Sequence, residues 1–144
     1  MSVLLALSLG VTAMTPSLEH RARLEHAGGV VDAQYRGRVA IVSRQVGSVA
    51  KGGTPATLRC RWRADLRVDR EARWGDQVHL ARGIDRDGVL EGSRPGWCGQ
   101  NEKAIAQEVA GRADRLRTHL LSLAQADEPM LRAELGRVTA RRDG

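Results

Sequence analysis

The sequence predicts an α+β fold: an antiparallel β-meander of three to four strands packed against one long C-terminal helix and a short terminal helix. Two observations predict it. Apolar and charged residues alternate with a period of two over residues 31–81, and apolar residues recur in steps of three and four after residue 101. We divide the chain into a signal peptide (1–13), a flexible leader (14–29) and one domain (30–144), the domain comprising a sheet (30–82), a loop (83–100) and helices (101–142).

The chain begins with an apolar run, Val3 to Val11. The run has the length of the apolar core of a secretory signal peptide, and it is too short to cross a bilayer. The small residues Val11-Thr12-Ala13 follow, which predicts cleavage before Met14. No Lys or Arg precedes the run, so a buried segment of a cytoplasmic protein is the alternative. No other stretch is apolar enough to span a membrane, and we expect no transmembrane segment in the mature chain.

The leader contains a charged stretch, residues 17–28, whose only large apolar residues are Leu18 and Leu24. These are too few for a core helix, and Gly28-Gly29 ends the stretch. We therefore expect a loosely attached segment here.

Two long alternating runs form the centre of the sheet. The first places Val31, Ala33, Tyr35, Val39 and Ile41 on one face, and the second places Ala56, Leu58, Cys60, Trp62, Ala64, Leu66 and Val68 there. A turn rich in glycine, Lys51 to Pro55, separates the runs and predicts an antiparallel hairpin. A third strand is expected at residues 77–81. Residues 83–97, with a turn at Asp87-Gly88, are expected to be mostly loop.

The C-terminal region has the pattern of amphipathic helices. Asn101 is a suitable cap for a long first helix. Asp127-Glu128-Pro129 has the features of a second start, because Asp caps well and Pro is tolerated in a first turn. We therefore expect a short second helix from this point.

The two cysteines, Cys60 and Cys98, allow one intramolecular pairing. In an exported protein an even count predicts a disulfide, and closing the long loop between them stabilises the fold by about 4 kcal/mol in the chain-entropy model. Two free buried thiols are the alternative. There is no Cys-x-x-Cys pair and no histidine at ligand spacing from either cysteine, so we expect no metal and no cofactor.

Arginine dominates the charge of the chain, which has a net charge of +6 from 21 Arg and two Lys against 17 acidic residues. The hairpin alternation places seven arginines on the outer face of the sheet against Asp32, Asp65 and Asp69. They are Arg36, Arg38, Arg44, Arg59, Arg61, Arg63 and Arg67. Such rows can hold phosphates or carboxylates. The alternative is an ordinary solvated face, enriched in Arg by a genome rich in G and C.

No catalytic residue is assigned. The serines lack a Gly-x-Ser-x-Gly elbow, no carboxylate pair is distinctive, and Asp85-Arg86-Asp87-Gly88 lacks the other ligands of a calcium loop. The sequence favours a small exported, non-catalytic interaction module with a basic sheet face, whose partner would be an anionic envelope component or an acidic protein. The alternative is a cytoplasmic protein that associates with nucleic acid, and a third hypothesis is a small hydrolase.

Overall fold

The computed structural model describes residues 17–53 and 56–144 as a four-stranded antiparallel sheet followed by two helices. The expected α+β fold is confirmed. The strands lie side by side in chain order. The elements are β1 (Leu18–His26), β2 (Gly29–Val46), β3 (Arg59–Trp74), β4 (Val78–Pro95), α1 (Cys98–Gly111) and α2 (Ala113–Arg142). The predicted signal peptide and its cleavage site lie outside the described residues.

The sheet has one face toward the helices and one toward solvent, as the alternation predicts. On β3, Cys60, Trp62, Ala64, Leu66 and Val68 are buried on the inner face. The exposed arginines of the same strand lie on the other face. One hydrophobic cluster joins residues from all four strands to residues from both helices. The hydrophobic core therefore lies between the inner face of the sheet and the two helices.

Residues 18–26, which the sequence analysis placed in a flexible leader, form the edge strand β1. Leu18 and Leu24 are buried, and Leu18 pairs with Gly37 of β2. The turn to β2 places Ala27 and Gly28 at positive φ, which matches the right-handed twist of a two-residue hairpin. The charged residues of this segment led to the expectation of a flexible leader, but in β1 they all lie on the solvent face of the sheet. Leu18 and Leu24, the pairing with β2 and the contacts with α2 together hold this short strand.

Strand β4 extends through residues 83–95, which were expected to be loop. Its pairing with β3 shifts where Asp65 stands opposite Asp87, Gly88 and Val89. Gly88 takes a positive φ, and its N–H donates to Asp65 Oδ1 at 2.9 Å. Asp87-Gly88 is therefore a bulge within a strand and not a turn between strands. The bulge adds two residues to β4, so even-numbered residues such as Ile84 and Leu90 face the core on both sides of it. The glycines and charged residues of this stretch, and not a change in the alternation, are why the sequence predicts a loop here.

The boundary between the two helices lies at a different residue from the one expected. The break falls at Arg112, and α2 continues through Pro129 to Arg142. Asp127 does not cap a helix, because its side chain is buried against the sheet. Tertiary contacts on both sides of Pro129 therefore override the local signal for a helix start. The longer of the two helices is the second one.

The start of α1 lies three residues before the predicted cap. Its N-cap is Trp97, while the Asn101 side chain donates to the carbonyl oxygens of Pro95 and Trp97 and accepts from Arg94 Nε. Asn101 therefore fastens the first turn of α1 to the end of β4 from inside the helix. Neither helix is long and apolar enough to cross a membrane, within the residues described.

Candidate anion-binding face

The disulfide that the sequence predicts is present, and it lies at one end of the sheet. Cys60 of β3 and Cys98, the first residue of α1, are bonded with their Cα atoms 4.8 Å apart. Gln45 of β2 adds a second link at the same place. Its Nε2 donates to the carbonyl oxygens of Arg59 and Gly96, and its Oε1 accepts the N–H of Cys98. The ends of three strands and the start of α1 are therefore held together.

All seven arginines of the predicted face lie on the outer side of β2 and β3. Four of them have a carboxylate within ion-pair distance. Arg36 lies near Glu19 of β1, Arg38 near Asp69, Arg63 near Asp65, and Arg67 near Asp65, Asp85 and Asp87. Strands β1 and β4 supply several of these carboxylates. The outer face is therefore a mosaic of both charges over most of its area.

The carboxylates of β1 and β4 were not predicted to lie on this face, because residues 14–29 were expected to form a leader and residues 83–100 a loop. Asp85 and Asp87, considered in the sequence analysis as a fragment of a calcium loop, instead accept ion pairs from Arg67. Asp65 is buried, although its side chain is on the outer face, because the β4 bulge and two arginines enclose it. A sequence signal for the carboxylates of β4 exists, because Asp85, Asp87 and Glu91 all lie at odd positions around Gly88.

The remaining three arginines, Arg44, Arg59 and Arg61, form a group at the disulfide end of the sheet, which we call the arginine cluster. All three are exposed. Arg44 stands directly opposite Arg61 in the β2–β3 ladder. None of the three has a carboxylate within ion-pair distance among the described residues, and the only side-chain hydrogen bond of the cluster is that of Arg59 Nε to Ser93 Oγ at 2.8 Å.

A shallow basin of about 630 Å³ lies over this cluster. Its outer-face lining consists of Arg44, Arg61, Arg63, Ser93, Val42 and one carboxylate, Glu91. Like charges placed directly opposite on a sheet are destabilising unless something compensates them. The pair Arg38 and Arg67 has the same geometry and is compensated by aspartates. The pair Arg44 and Arg61 has no such compensation within the described part of the chain.

A second polar group, which the sequence analysis missed, is buried between the sheet and α2. Arg70 of β3 is fully buried; its Nε donates to Asp127 Oδ2 at 2.9 Å, and its two terminal nitrogens donate to Glu134. Tyr35 also donates to Asp127 Oδ2, and Arg82 donates to Oδ1. Both Asp127 oxygens are thus engaged. The signal was Arg70 itself, a charged residue at an inward position of a regular strand.

This buried group has perturbed protonation equilibria. Burial, followed by the hydrogen bond to Asp127 and the charge of that carboxylate, raises the pKa of Tyr35 above its ordinary value. Burial lowers the pKa of Arg70, but hydrogen bonds to Glu134 and Asp127 outweigh it, so the pKa is raised. Both side chains therefore keep their protons at neutral pH. The group serves to position α2 on the sheet.

The remaining candidates for chemistry are dispersed. Ser93 accepts a hydrogen bond from Arg59, Ser48 pairs with Thr57 across the loop, and Ser122 is exposed on α2. Within residues 17–53 and 56–144, no three His, Cys, Asp or Glu side chains are grouped so as to hold a metal ion.

Comparison of the chain with models of known protein families, with curated proteins and with solved structures finds no match. The proposals that follow therefore rest on the geometry of this chain alone.

Proposed function

We propose that this protein is a small exported, non-catalytic binding protein that holds an anionic partner at the arginine cluster. The observation that carries the proposal is the pair Arg44 and Arg61, which stand directly opposite each other with no carboxylate within ion-pair distance in the described residues. A partner that brings carboxylates or phosphates would supply the missing compensation. Guanidinium groups suit this role because each can bind such a group through two parallel hydrogen bonds.

The surroundings of the cluster favour recognition by charge. The cluster lies where the disulfide and Gln45 tie three strands to α1, so the backbone that carries it is well anchored. Tyr35 and Trp62, which are aromatic, lie on the inner face of the sheet and are buried. No Phe, Tyr or Trp of the four strands faces outward, and the exposed Trp97 lies just beyond β4 at the start of α1. The strands themselves therefore offer charge and no large aromatic ring, which favours an acidic partner over single-stranded nucleic acid. Export is supported by the disulfide, a bond that persists in oxidising compartments.

The test is the affinity of the purified, disulfide-bonded protein for poly-glutamate, measured as salt is raised. Arg61→Glu and Arg44→Glu should each weaken binding by about tenfold or more, since they replace an attraction by a repulsion. The matched control is Arg73→Glu, at the other end of β3 on the same face, which changes the net charge equally. Exposed charges contribute little to folding, so the free energy of unfolding of all three variants should stay within about 1 kcal/mol of the parent value.

The expected result is a loss of binding confined to the cluster variants, together with weaker binding of the parent at higher salt. An equal loss in Arg73→Glu would mean that only net charge matters and would overturn the proposal. Tighter binding of single-stranded nucleic acid than of poly-glutamate would also overturn it, in favour of the cytoplasmic alternative.

A further inference from the structure

One long stretch of β2 lacks a neighbouring strand on one side. Strand β1 pairs only with residues 29–37 of β2, whereas β3 pairs with residues 31–46. Within the described residues, the stretch 38–46 is therefore hydrogen-bonded to β3 alone. In an antiparallel ladder alternate residues direct both backbone groups to the same neighbour. Half of the N–H and C=O groups of residues 38–46 consequently point to an open edge.

This edge carries exposed apolar side chains on both of its faces. Ile41, on the inner face, is 40% exposed, and its neighbour Val42, on the outer face, is 45% exposed. Most monomeric proteins protect an open edge by keeping it short or by covering it. A long edge with exposed branched residues is instead suited to receive another strand, as in peptide recognition by strand addition.

The charges along the same edge indicate what kind of strand fits. Arg38 and Arg44 project from the outer face of residues 38–46, and Arg61 of β3 is the cross-strand neighbour of Arg44. Arg38 already has Asp69 as a partner, whereas Arg44 has no carboxylate within ion-pair distance among the described residues. A second copy of the protein would bring a further Arg38 and Arg44 to this face of a chain whose net charge is already +6. An acidic strand would bring the opposite charge.

We propose that the open edge of β2, residues 38–46, binds an extended acidic segment of a partner protein as an added strand in line with β1. The proposal deepens the proposed function, on which it rests, by naming the partner's chemistry and conformation. The segment alternates carboxylate and apolar side chains. The carboxylates lie beside Arg44 on the outer face, while the apolar side chains cover Ile41 on the inner face. Main-chain hydrogen bonds to the edge supply affinity, and the alternation supplies specificity.

The experiment follows amide hydrogen exchange of residues 38–46 with and without a peptide of alternating glutamate and valine. The amides of this stretch that point away from β3 should exchange quickly in the isolated protein and at least about tenfold more slowly in the complex. Amides in residues 31–37, which have a strand on both sides, are the internal control and should not change. Arg44→Glu should weaken binding of the peptide, and Arg73→Glu should not.

The matched control on the ligand is a peptide of the same charge with N-methyl groups on alternate residues, on the side that would face β2. It should bind about tenfold more weakly, because two or three main-chain hydrogen bonds to the edge are lost. Equal affinity of the two peptides, with no protection of the edge, would overturn strand addition and leave the proposed function standing. Failure of both peptides and of poly-glutamate to bind would overturn both.

A third result would overturn the inference in a different way. If all amides of residues 38–46 are already protected in the isolated protein, the edge is occupied without a partner. Sedimentation then distinguishes two explanations. A dimer means that a second copy of the chain covers the edge, and a monomer means that the chain's own residues cover it. Either occupant excludes the acidic strand as the natural one.

Discussion

At the scale of single residues, Asp127 and its partners show how a buried charge is accommodated in this core. A carboxylate removed from water is costly unless it is paired and hydrogen-bonded. Asp127 accepts hydrogen bonds from Tyr35, Arg70 and Arg82. Each donor comes from the sheet, and the acceptor comes from α2. The helix is thereby held in one register on the sheet, which apolar contacts alone would define less sharply.

Tyr35 makes the protein sensitive to high pH. It is the only tyrosine of the chain, and its buried phenol donates to Asp127 at 2.9 Å. Burial first, and then Asp127, raises its pKa in the folded protein, whereas the unfolded phenol ionises near pH ~10. Above that pH the unfolded chain releases a proton that the folded chain retains. This contribution to stability is therefore complete below about pH 10 and declines as the pH rises further.

We expect the phenolate absorbance of the protein to appear only together with unfolding. Parallel titrations of ultraviolet absorbance and circular dichroism measure the two events. The variant Tyr35→Phe should show a flatter loss of stability above about pH 10, because it has no phenol to ionise. Ionisation of the tyrosine near its ordinary pKa in a protein that keeps its fold would contradict this account.

At the scale of elements, regular alternation was sufficient to predict the central hairpin and the burial of its even positions on β3. The strand expected at residues 77–81 is the start of β4, but the rest of β4 and all of β1 were not predicted, for different physical reasons. The short β1 is held by Leu18 and Leu24 and by α2, contacts that a local pattern does not contain. The bulge at Gly88 interrupts the pairing of β4 with β3, and the glycine and charged residues around it have the composition of a turn. The helix break was predicted at the wrong place because Asp127 and Pro129 have the sequence features of a helix start. In the structure, tertiary contacts on both sides of Pro129 keep α2 continuous.

The disulfide joins β3 to the first residue of α1, so its removal should act mainly on the unfolded chain. The cysteines are separated by 38 positions. Opening a loop of that length costs about 4 kcal/mol in the chain-entropy model. We expect the double variant Cys60→Ala/Cys98→Ala to lose roughly that much of its free energy of unfolding, measured by denaturant titration. The parent under reducing conditions is the control, and two titratable thiols in the native parent would contradict the bond.

At the scale of the whole molecule, the candidate site could be predicted only in part. The hairpin pattern located seven arginines on one face, and all seven lie there. The pattern placed Asp65 and Asp69 of β3 on this face but did not reveal which arginines are neutralised, because it placed neither Glu19 of β1 nor Asp85 and Asp87 of β4 there. Removing those four arginines from the set leaves Arg44, Arg59 and Arg61. The selection of the cluster is thus a result of long-range pairing, which local sequence patterns do not encode.

The proposal of export concerns the protein as a whole, since it sets both its compartment and the oxidation state of its cysteines. The apolar run Val3 to Val11 and the small residues up to Ala13 predict a mature chain that begins at Met14. Mass spectrometry of the native protein should find that N-terminus, together with a mass lower by two hydrogens than that of the dithiol form. Replacing Leu5 and Leu7 by Arg should interrupt the apolar run and retain the uncleaved, reduced chain in the cytoplasm. Recovery of intact Met1 on a cytoplasmic parent protein would refute export, and the partner of the arginine cluster would then have to be sought among intracellular polyanions.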